Sequence, residues 1–242
     1  MKRRVLSFVC VLALTLSLLP TAALADTPDF SLGLEVTATV GETEEVRDLG
    51  VLRAGDIVTA RVILPAQCKL SAVQAKLLFD KEKFEVTTKT EDGETFGNAS
   101  TELPEYSTAG KRGWTATQIT DYSEANSAGY VAITSTGQVK SGNSTKPGNV
   151  TNETELAILI VEFKVKDNSG VGTASPAFSI ASNLAGESNV RFAYENETNQ
   201  TVAYTVGLPA PVSATVVQEL GNVTLSGSVT APAKNVTDTS AL

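Results

Sequence analysis

Two runs of alternating apolar and polar residues, Ile57–Leu64 and Ala72–Phe79, constrain the fold of this chain more than any other feature. Side chains on a β-strand point alternately to opposite faces, so a run with period two indicates a strand with one buried face. Asp80 follows the second run, and its short carboxylate is suited to accept backbone N–H groups of the turn 80–83. The pattern predicts one wall of a β-sandwich, with these core residues on the second strand: Val73, Ala75, Leu77 and Phe79.

Similar runs recur along the chain between Gly, Pro, Asn and Asp residues, which favour turns. No window sustains the apolar spacing of an amphipathic helix, so the sequence predicts an all-β, antiparallel sandwich. The predicted strands are Ser31–Val40, Ile57–Leu64, Ala72–Phe79, Phe84–Lys89, Trp114–Ile119, Tyr130–Thr136, Leu156–Lys166, Ala177–Ala181, Phe192–Tyr194, Val202–Val206 and Val212–Leu220.

Three segments depart from simple alternation. Glu91–Gly113 has few large apolar residues, and Val139–Thr154 is rich in Ser, Asn, Gly and Thr, which predicts an exposed, mobile loop. The first half of Leu156–Lys166 is apolar at every position, which indicates a central strand with its second face covered; an exposed patch for a partner is the alternative.

The first 25 residues have the features of a secretory signal peptide. A basic head at Lys2–Arg4 precedes the apolar run Val5–Leu19, which is short for a membrane span, and Ala23–Ala25 is a cleavage motif. We therefore predict a secreted protein, free or held at the cell surface, with no membrane insertion after cleavage. The folded domain is predicted at 26–220, and 221–242 is a tail or linker with room for one extra strand.

Composition argues against most catalytic chemistry. The chain contains no histidine, which removes Ser-His and Cys-His nucleophiles and His-based zinc sites. Of its two cysteines, Cys10 leaves with the signal peptide, so Cys68 has no internal disulfide partner. Acidic pairs such as Glu195 and Glu197 lie in predicted turns or hairpins. We interpret them as solvent-exposed charged side chains rather than as the two catalytic carboxylates of a glycosidase. We predict no catalytic residue, metal or cofactor.

The net charge narrows the choice of partners. Cleavage after Ala25 removes three basic residues and no acid, which changes the formal charge from −8 to −11. Such an acidic chain is a poor partner for nucleic acid or an anionic membrane. We expect a monomer.

Four motifs in sequence order resemble those of cohesin domains. They are G-D-x-V-x-x-x-V at Gly55–Val62, V-x-A-x-L-x-F-D at Val73–Asp80, K-F-E-V at Lys83–Val86, and the later strand Leu156–Lys166. The resemblance covers roughly Phe30–Leu220. It implies a nine-stranded jelly-roll sandwich, related in fold to some carbohydrate-binding modules, and a non-catalytic extracellular module. Cohesins bind dockerins on glycoside hydrolases and so assemble complexes that degrade cellulose.

The resemblance also implies where a partner binds. The third, fifth, sixth and eighth strands of cohesins form a flat face, which corresponds here to Ala72–Phe79, Trp114–Ile119, Tyr130–Thr136 and Ala177–Ala181. Where dockerin-binding cohesins tend to carry an Asn and an Asp early on the third strand, this chain has Ala72 and Gln74. The residues expected to face outward are Ala72, Gln74, Lys76, Thr115, Thr117, Ala132, Thr134 and Ser179.

Two aromatic residues leave a second function open. Trp114, the only tryptophan, and Tyr130 could stack on sugar rings, which would suit a carbohydrate-binding module. For Trp114 we favour packing in the core or at its rim. A structural or adhesin domain of a cell-surface protein is a third possibility. The leading prediction is a secreted module that recruits a dockerin-type protein or a polysaccharide in extracellular polysaccharide degradation.

Asparagine is used in an unusual way. Eight of the twelve asparagines begin an N-x-S/T triplet, the acceptor pattern for N-glycosylation. Asn followed by Thr also suits the passage from a turn into a strand, and we favour that interpretation.

Overall fold

The computed structural model describes residues 29–167, 170–181 and 191–218. The predicted signal peptide and the segment 221–242 lie outside these ranges. Twenty strands and one helix, α1 (Tyr122–Ala128), make up the described chain, together with a 3-10 turn at Leu49–Val51. The strands are β1 (Phe30–Ser31), β2 (Gly33–Thr39), β3 (Val46–Arg47), β4 (Ile57–Leu64), β5 (Lys69–Leu70), β6 (Ala72–Phe79), β7 (Phe84–Val86), β8 (Thr88–Glu91), β9 (Glu94–Gly97), β10 (Ala99–Ser100), β11 (Arg112–Ile119), β12 (Tyr130–Ser141), β13 (Ser144–Pro147), β14 (Val150–Thr151), β15 (Leu156–Val165), β16 (Gly172–Ile180), β17 (Arg191–Glu195), β18 (Thr201–Ala203), β19 (Val206–Gly207) and β20 (Val212–Val216).

Two antiparallel sheets form the sandwich. The six-stranded sheet has the order β10-β15-β4-β2-β3, with β7 also paired to β15. The eight-stranded sheet has the order β11-β12-β6-β16-β20, with β13 beside β12, β17 beside β6, and β18 beside β17. The predicted all-β sandwich is therefore confirmed, although it contains more short strands than predicted. The four strands assigned to one face by the cohesin resemblance are neighbours in one sheet.

An aromatic cluster joins the two sheets at the centre of the core. Phe163 of the six-stranded sheet lies 4.8 Å from Phe79 and 5.2 Å from Phe178, measured between ring centroids. Phe84 lies 4.8 Å from Phe178. Three of these rings are fully buried and Phe79 is 7% exposed. Tilted contacts at such distances add to the hydrophobic free energy of burying the rings.

Polar groups fix the chain at the ends of the two central strands. Asp80 accepts the Glu82 N–H at 3.0 Å, which confirms its predicted role in the turn after β6. Asp56, only 3% exposed, accepts the Arg53 N–H at 2.8 Å and lies 3.1 Å from Arg47 Nε before β4 begins. Both carboxylates therefore organise turns.

Helix α1 was not predicted, and its caps explain why so short a segment is helical. Asp121 accepts the Ser123 N–H at 2.9 Å and so caps the first turn. Gly129 ends the helix with a φ of +79° and donates its N–H to Ala125 O. One buried residue, Ala125, contacts the core, so the helix has too narrow an apolar face for a periodic signal. No helix among the described residues is long and apolar enough to cross a membrane.

The prediction of a loop at Val139–Thr154 is wrong, because strands lie there, although residues 141–147 are exposed as predicted. Strand β12 continues to Ser141, turns at Gly142 and pairs with β13. Val150 is 4% exposed and pairs with Leu70. Ser, Thr and Asn can form strands when a neighbouring strand satisfies their backbone groups, and composition does not reveal that neighbour.

A bulge explains the continuous apolar run of Leu156–Lys166. The register between β15 and β4 shifts between Ala157 and Leu159, and Ile158 is fully buried at that position. A bulge sets two residues opposite one and turns an additional side chain toward the core. The run is thus a central strand, as predicted, rather than an exposed patch.

Most described N-x-S/T asparagines are structural. Asn149 donates to Glu195 O at 2.7 Å and accepts the Glu195 N–H at 2.8 Å. Asn152 donates to Pro65 O at 2.7 Å, and Asn98 donates to Glu162 Oε1 at 2.8 Å. Asn196 caps its own turn through the Thr198 N–H at 3.0 Å. These bonds favour the interpretation of the pattern as turn chemistry.

Candidate partner-binding face

The outer surface of the eight-stranded sheet is built by the register of β6 against its neighbours. Ala72, Gln74, Lys76 and Leu78 alternate with core residues and so point away from the six-stranded sheet. Opposite them on β12 lie Thr136, Thr134, Ala132 and Tyr130 respectively. We call the following set the flat face: Ala72, Gln74, Lys76, Leu78, Thr115, Gln118, Tyr130, Ala132, Thr134, Thr136, Ser179 and Arg191.

Two different strands complete the flat face on the far side of β6. Strand β16 pairs with the end of β6, which sets Ser179 beside Leu78. Strand β17 pairs with its beginning, which sets Arg191 beside Gln74. Phe192 is fully buried, so its exposed neighbour Arg191 points outward.

At one end of the flat face, Tyr130 contacts both Lys76 and Glu124. Lys76 Nζ lies 4.2 Å from the centroid of the Tyr130 ring, a cation–π contact. The Tyr130 hydroxyl donates to Glu124 Oε1 on α1 at 3.0 Å. This bond to a carboxylate raises the pKa of Tyr130, because the neutral phenol is the donor and the nearby negative charge disfavours the phenolate.

Seven of the eight residues expected to face outward lie on this surface, and Thr117 does not. The register of β11 against β12 shifts between Thr115 and Gln118, which indicates a bulge. Thr117 is hydrogen-bonded to Ser135 at 2.7 Å between hydroxyl oxygens, and Ser135 is buried on the core side. Thr117 is exposed, but the bulge reverses the alternation, so that its hydroxyl bonds to Ser135 and Gln118 occupies the flat face opposite Thr134.

The favoured packing of Trp114 in the core is confirmed, and the stacking role considered for it is wrong. Its side chain is 4% exposed and belongs to the core cluster, so a sugar ring has no access to its face. Trp114 lies opposite Gly137 on β12. The space where a Gly137 Cβ would lie is taken by Gly148 O, at 2.5 Å, rather than by the indole. Tyr130 remains partly exposed on the flat face.

The predicted set of outward residues lacked Leu78, Gln118, Thr136 and Arg191. Leu78 is 37% exposed, and its alternation with Leu77 and Phe79 contained the signal that it faces outward. Gln118 required knowledge of the bulge. Arg191 required knowledge that β17 pairs with β6, which no local pattern shows.

Within the described ranges, no group of three or more His, Cys, Asp or Glu residues is placed to hold a metal ion. Cys68 is a free thiol whose burial raises its pKa, so the unreactive thiol is favoured over the thiolate. Glu195 and Glu197 lie on and after β17, with Glu197 exposed.

Comparison with known proteins gives structural matches only. No protein-family model matches the chain, and no curated protein matches it. The seventh type I cohesin of ScaB from Pseudobacteroides cellulosolvens has 12% identity and a TM-score of 0.39, covering 80% of this chain and 96% of that one. The cohesin of a Coh-OlpC–Doc435 complex from Clostridium thermocellum has 10% identity and a TM-score of 0.42, covering 81% and 99%.

A third match is the second type II cohesin of ScaA from Acetivibrio cellulolyticus, with 14% identity, a TM-score of 0.41 and coverage of 74% and 89%. The chain resembles cohesin domains. The strand pairing of this chain establishes the sandwich. We do not assign the ligands of the matched proteins to this chain.

Proposed function

We propose that this chain is a secreted, non-catalytic binding module whose flat face binds a protein partner. The observation that carries the proposal is the flat face itself: a sheet surface without acidic side chains that has an exposed Leu78 and two cations, Lys76 and Arg191. Half of its twelve side chains are Ala, Ser or Thr, so a partner can approach the sheet closely at those positions. The cohesin-like sequence motifs support a dockerin-type protein as that partner.

A polypeptide partner suits the chemistry of the flat face better than a sugar. Sugar rings are commonly held by exposed aromatic platforms, and burial of Trp114 leaves Tyr130 as the aromatic side chain of this face. Tyr130 is already engaged by Lys76 on its ring and by Glu124 at its hydroxyl. Polysaccharide binding is therefore the alternative outcome of the experiment below.

The experiment compares capture by two arginine variants. Residues 26–242 are immobilised and exposed to the secreted proteins of the source organism, and captured proteins are identified by mass spectrometry. Ala132→Arg places a long cation in the middle of the flat face and is expected to abolish capture of dockerin-bearing hydrolases. Thr37→Arg is the matched control, because Thr37 is an exposed mid-strand position on the other sheet.

Two results would contradict the proposal. Equal capture by Ala132→Arg and wild type would place the binding surface elsewhere on the molecule. Retention on insoluble glucan without capture of any protein would favour a carbohydrate-binding module. Secretion is checked separately, because cleavage at the predicted site gives an extracellular protein that begins at Asp26.

A further inference from the structure

We propose that the flat face recognises an acidic protein segment, with Lys76 and Arg191 binding its carboxylates. This inference rests on the proposed function and deepens it by naming the chemistry of the partner. An acidic partner for a chain with a formal charge of −8 is unexpected from composition, so the argument depends on the local arrangement of charge.

The two cations lie close together across neighbouring strands. Arg191 on β17 pairs directly with Gln74 on β6, and Lys76 is two residues further along β6 on the same face. Such diagonal neighbours are about 7–8 Å apart. Acidic residues three or four positions apart on a helix have Cβ atoms about 5–6 Å apart, so flexible Lys and Arg side chains can reach both.

Neither cation is neutralised by a carboxylate in the described part of the chain. The contact recorded for Lys76 is with the Tyr130 ring, and the Arg191 side chain has no hydrogen bond or ion pair there. Arg47, by contrast, pairs with Asp56. Arg61, Lys89 and Lys164 are likewise paired with carboxylates.

No residue of the flat face is acidic, and two carboxylates near its rim are already engaged. Glu124 accepts the Tyr130 hydroxyl, and Asp80 accepts the Glu82 N–H. Among the described residues, no carboxylate is ion-paired with Lys76 or Arg191, so a carboxylate brought by a partner can bind them. In a molecule that is acidic overall, this gives the flat face a local charge opposite to the net charge.

The surroundings of Lys76 favour binding to a polypeptide. Its ammonium is held over the Tyr130 ring, which restricts the side chain before binding and lowers the entropic cost of fixing it. Leu78 is 37% exposed, and Ala132 faces Lys76 across the strand pair. The partner expected here carries an apolar side chain beside its acids, which a polysaccharide does not supply.

The experiment uses two synthetic 15-residue peptides as probes. One is an amphipathic Glu/Leu helix and the other has every Glu replaced by Gln. Backbone amide shifts of ¹⁵N-labelled residues 26–242 are followed by NMR during titration. We expect shifts at Lys76, Leu78, Ala132 and Arg191, and about tenfold tighter binding of the Glu peptide at low salt. The difference should shrink at high salt, where screening weakens exposed charge pairs.

A charge-neutral double variant and a matched control complete the design. Lys76→Gln with Arg191→Gln should remove the preference for the Glu peptide. Lys89→Gln with Lys164→Gln removes the same charge from cations that are ion-paired away from the flat face, and should preserve the preference. The amide spectra report directly that each variant is folded.

Several results would overturn the inference. These are equal affinity for the two peptides, shifts confined to the six-stranded sheet, or tighter binding of polygalacturonate than of the Glu peptide. The last result would identify an anionic polysaccharide as the occupant.

The inference and the proposed function can fail separately. If Ala132→Arg abolishes partner capture while the Lys76→Gln, Arg191→Gln variant keeps it, the face binds through neutral contacts alone. If Ala132→Arg has no effect on capture, both fail.

Discussion

The outer surfaces of the two sheets differ in how their charges are satisfied. On the six-stranded sheet, Arg61 lies 2.7 Å from Glu102 and 3.9 Å from Glu35. Glu162 accepts hydrogen bonds from Thr87 at 2.7 Å and Asn98 at 2.8 Å. We call this surface the paired face. On the flat face, two cations have no carboxylate partner in the described chain.

The contrast separates stability from recognition. The charges of the paired face interact with one another, so their removal should change the free energy of folding and leave partner binding intact. The flat face has few internal bonds between side chains to lose, so substitutions there should change binding and leave stability nearly unchanged. The predictions below test that separation, beginning with the core that both faces share.

The largest effect is expected in the core between the two faces. Phe163→Ala removes a fully buried ring that contacts Phe79 and Phe178. Its loss should reduce the free energy of unfolding by about 3–5 kcal/mol through lost burial and a cavity. Urea denaturation followed by fluorescence of Trp114 measures the change. A loss below about 1 kcal/mol would mean that the two sheets are not packed through these rings.

An intermediate effect is expected at the buried carboxylate before β4. Asp56→Ala removes the ion-pair partner of Arg47 and the carboxylate that accepts the Arg53 N–H, and should cost about 1.5–3 kcal/mol, the range for hydrogen bonds to charged groups. Denaturation midpoints measure the loss. Asp48→Ala is the control, because Asp48 caps an exposed turn through the Gly50 N–H and should cost less. Equal losses would show that burial of Asp56 adds nothing.

A smaller effect is expected on the paired face. A double-mutant cycle of Arg61→Ala and Glu102→Ala should give a coupling free energy of about 0.2–1 kcal/mol, because both side chains are roughly 40% exposed. Lys76→Ala and Arg191→Ala on the flat face should each change stability by no more than about 0.5 kcal/mol. If the flat-face variants lost more stability than the paired-face variants, the separation described above would be wrong.

The smallest effect is a shift in titration at the edge of the flat face. Glu124→Gln removes the negative charge that raises the pKa of Tyr130, so the midpoint of phenol ionisation should fall toward its ordinary value. Because the folded pKa lies above the unfolded value, the contribution to stability is present below pH 10 and is lost as the pH rises through the folded pKa. Ultraviolet absorbance of tyrosinate measures the midpoint. An unchanged midpoint would mean that the bond to Glu124 does not form in solution.

Much of the fold could be predicted because alternation is a local property. The bounds of β4 and β6 agree with the predicted strands to the residue, and the predicted core residues of β6 are buried. Helix α1 could not be predicted in this way, because its caps rather than an apolar stripe define it. The hairpin of β12 and β13 was missed because its residues are of types common in loops. Its strands form through backbone hydrogen bonds between the two segments, which composition does not show.

The same distinction between local pattern and strand pairing applies to the residues of the candidate site. Ala72, Gln74 and Lys76 follow from the period of their own strand, so the sequence alone assigned them to the outer surface. Thr117 and Gln118 exchanged roles because a bulge in β11 reverses the alternation. Bulges depend on how two strands fit together, and a single strand does not disclose them.

By itself, the sequence determined the class of fold, the inner face of each central strand and the turn at Asp80. Only the tertiary structure decided that Trp114 is buried opposite Gly137 and that Arg191 lies beside Gln74. The physical reason is that side-chain direction repeats along one strand, whereas neighbours across a sheet are set by pairing of segments far apart in the chain. The pairing of β17 with β6, about 120 residues apart, gives the flat face its second cation.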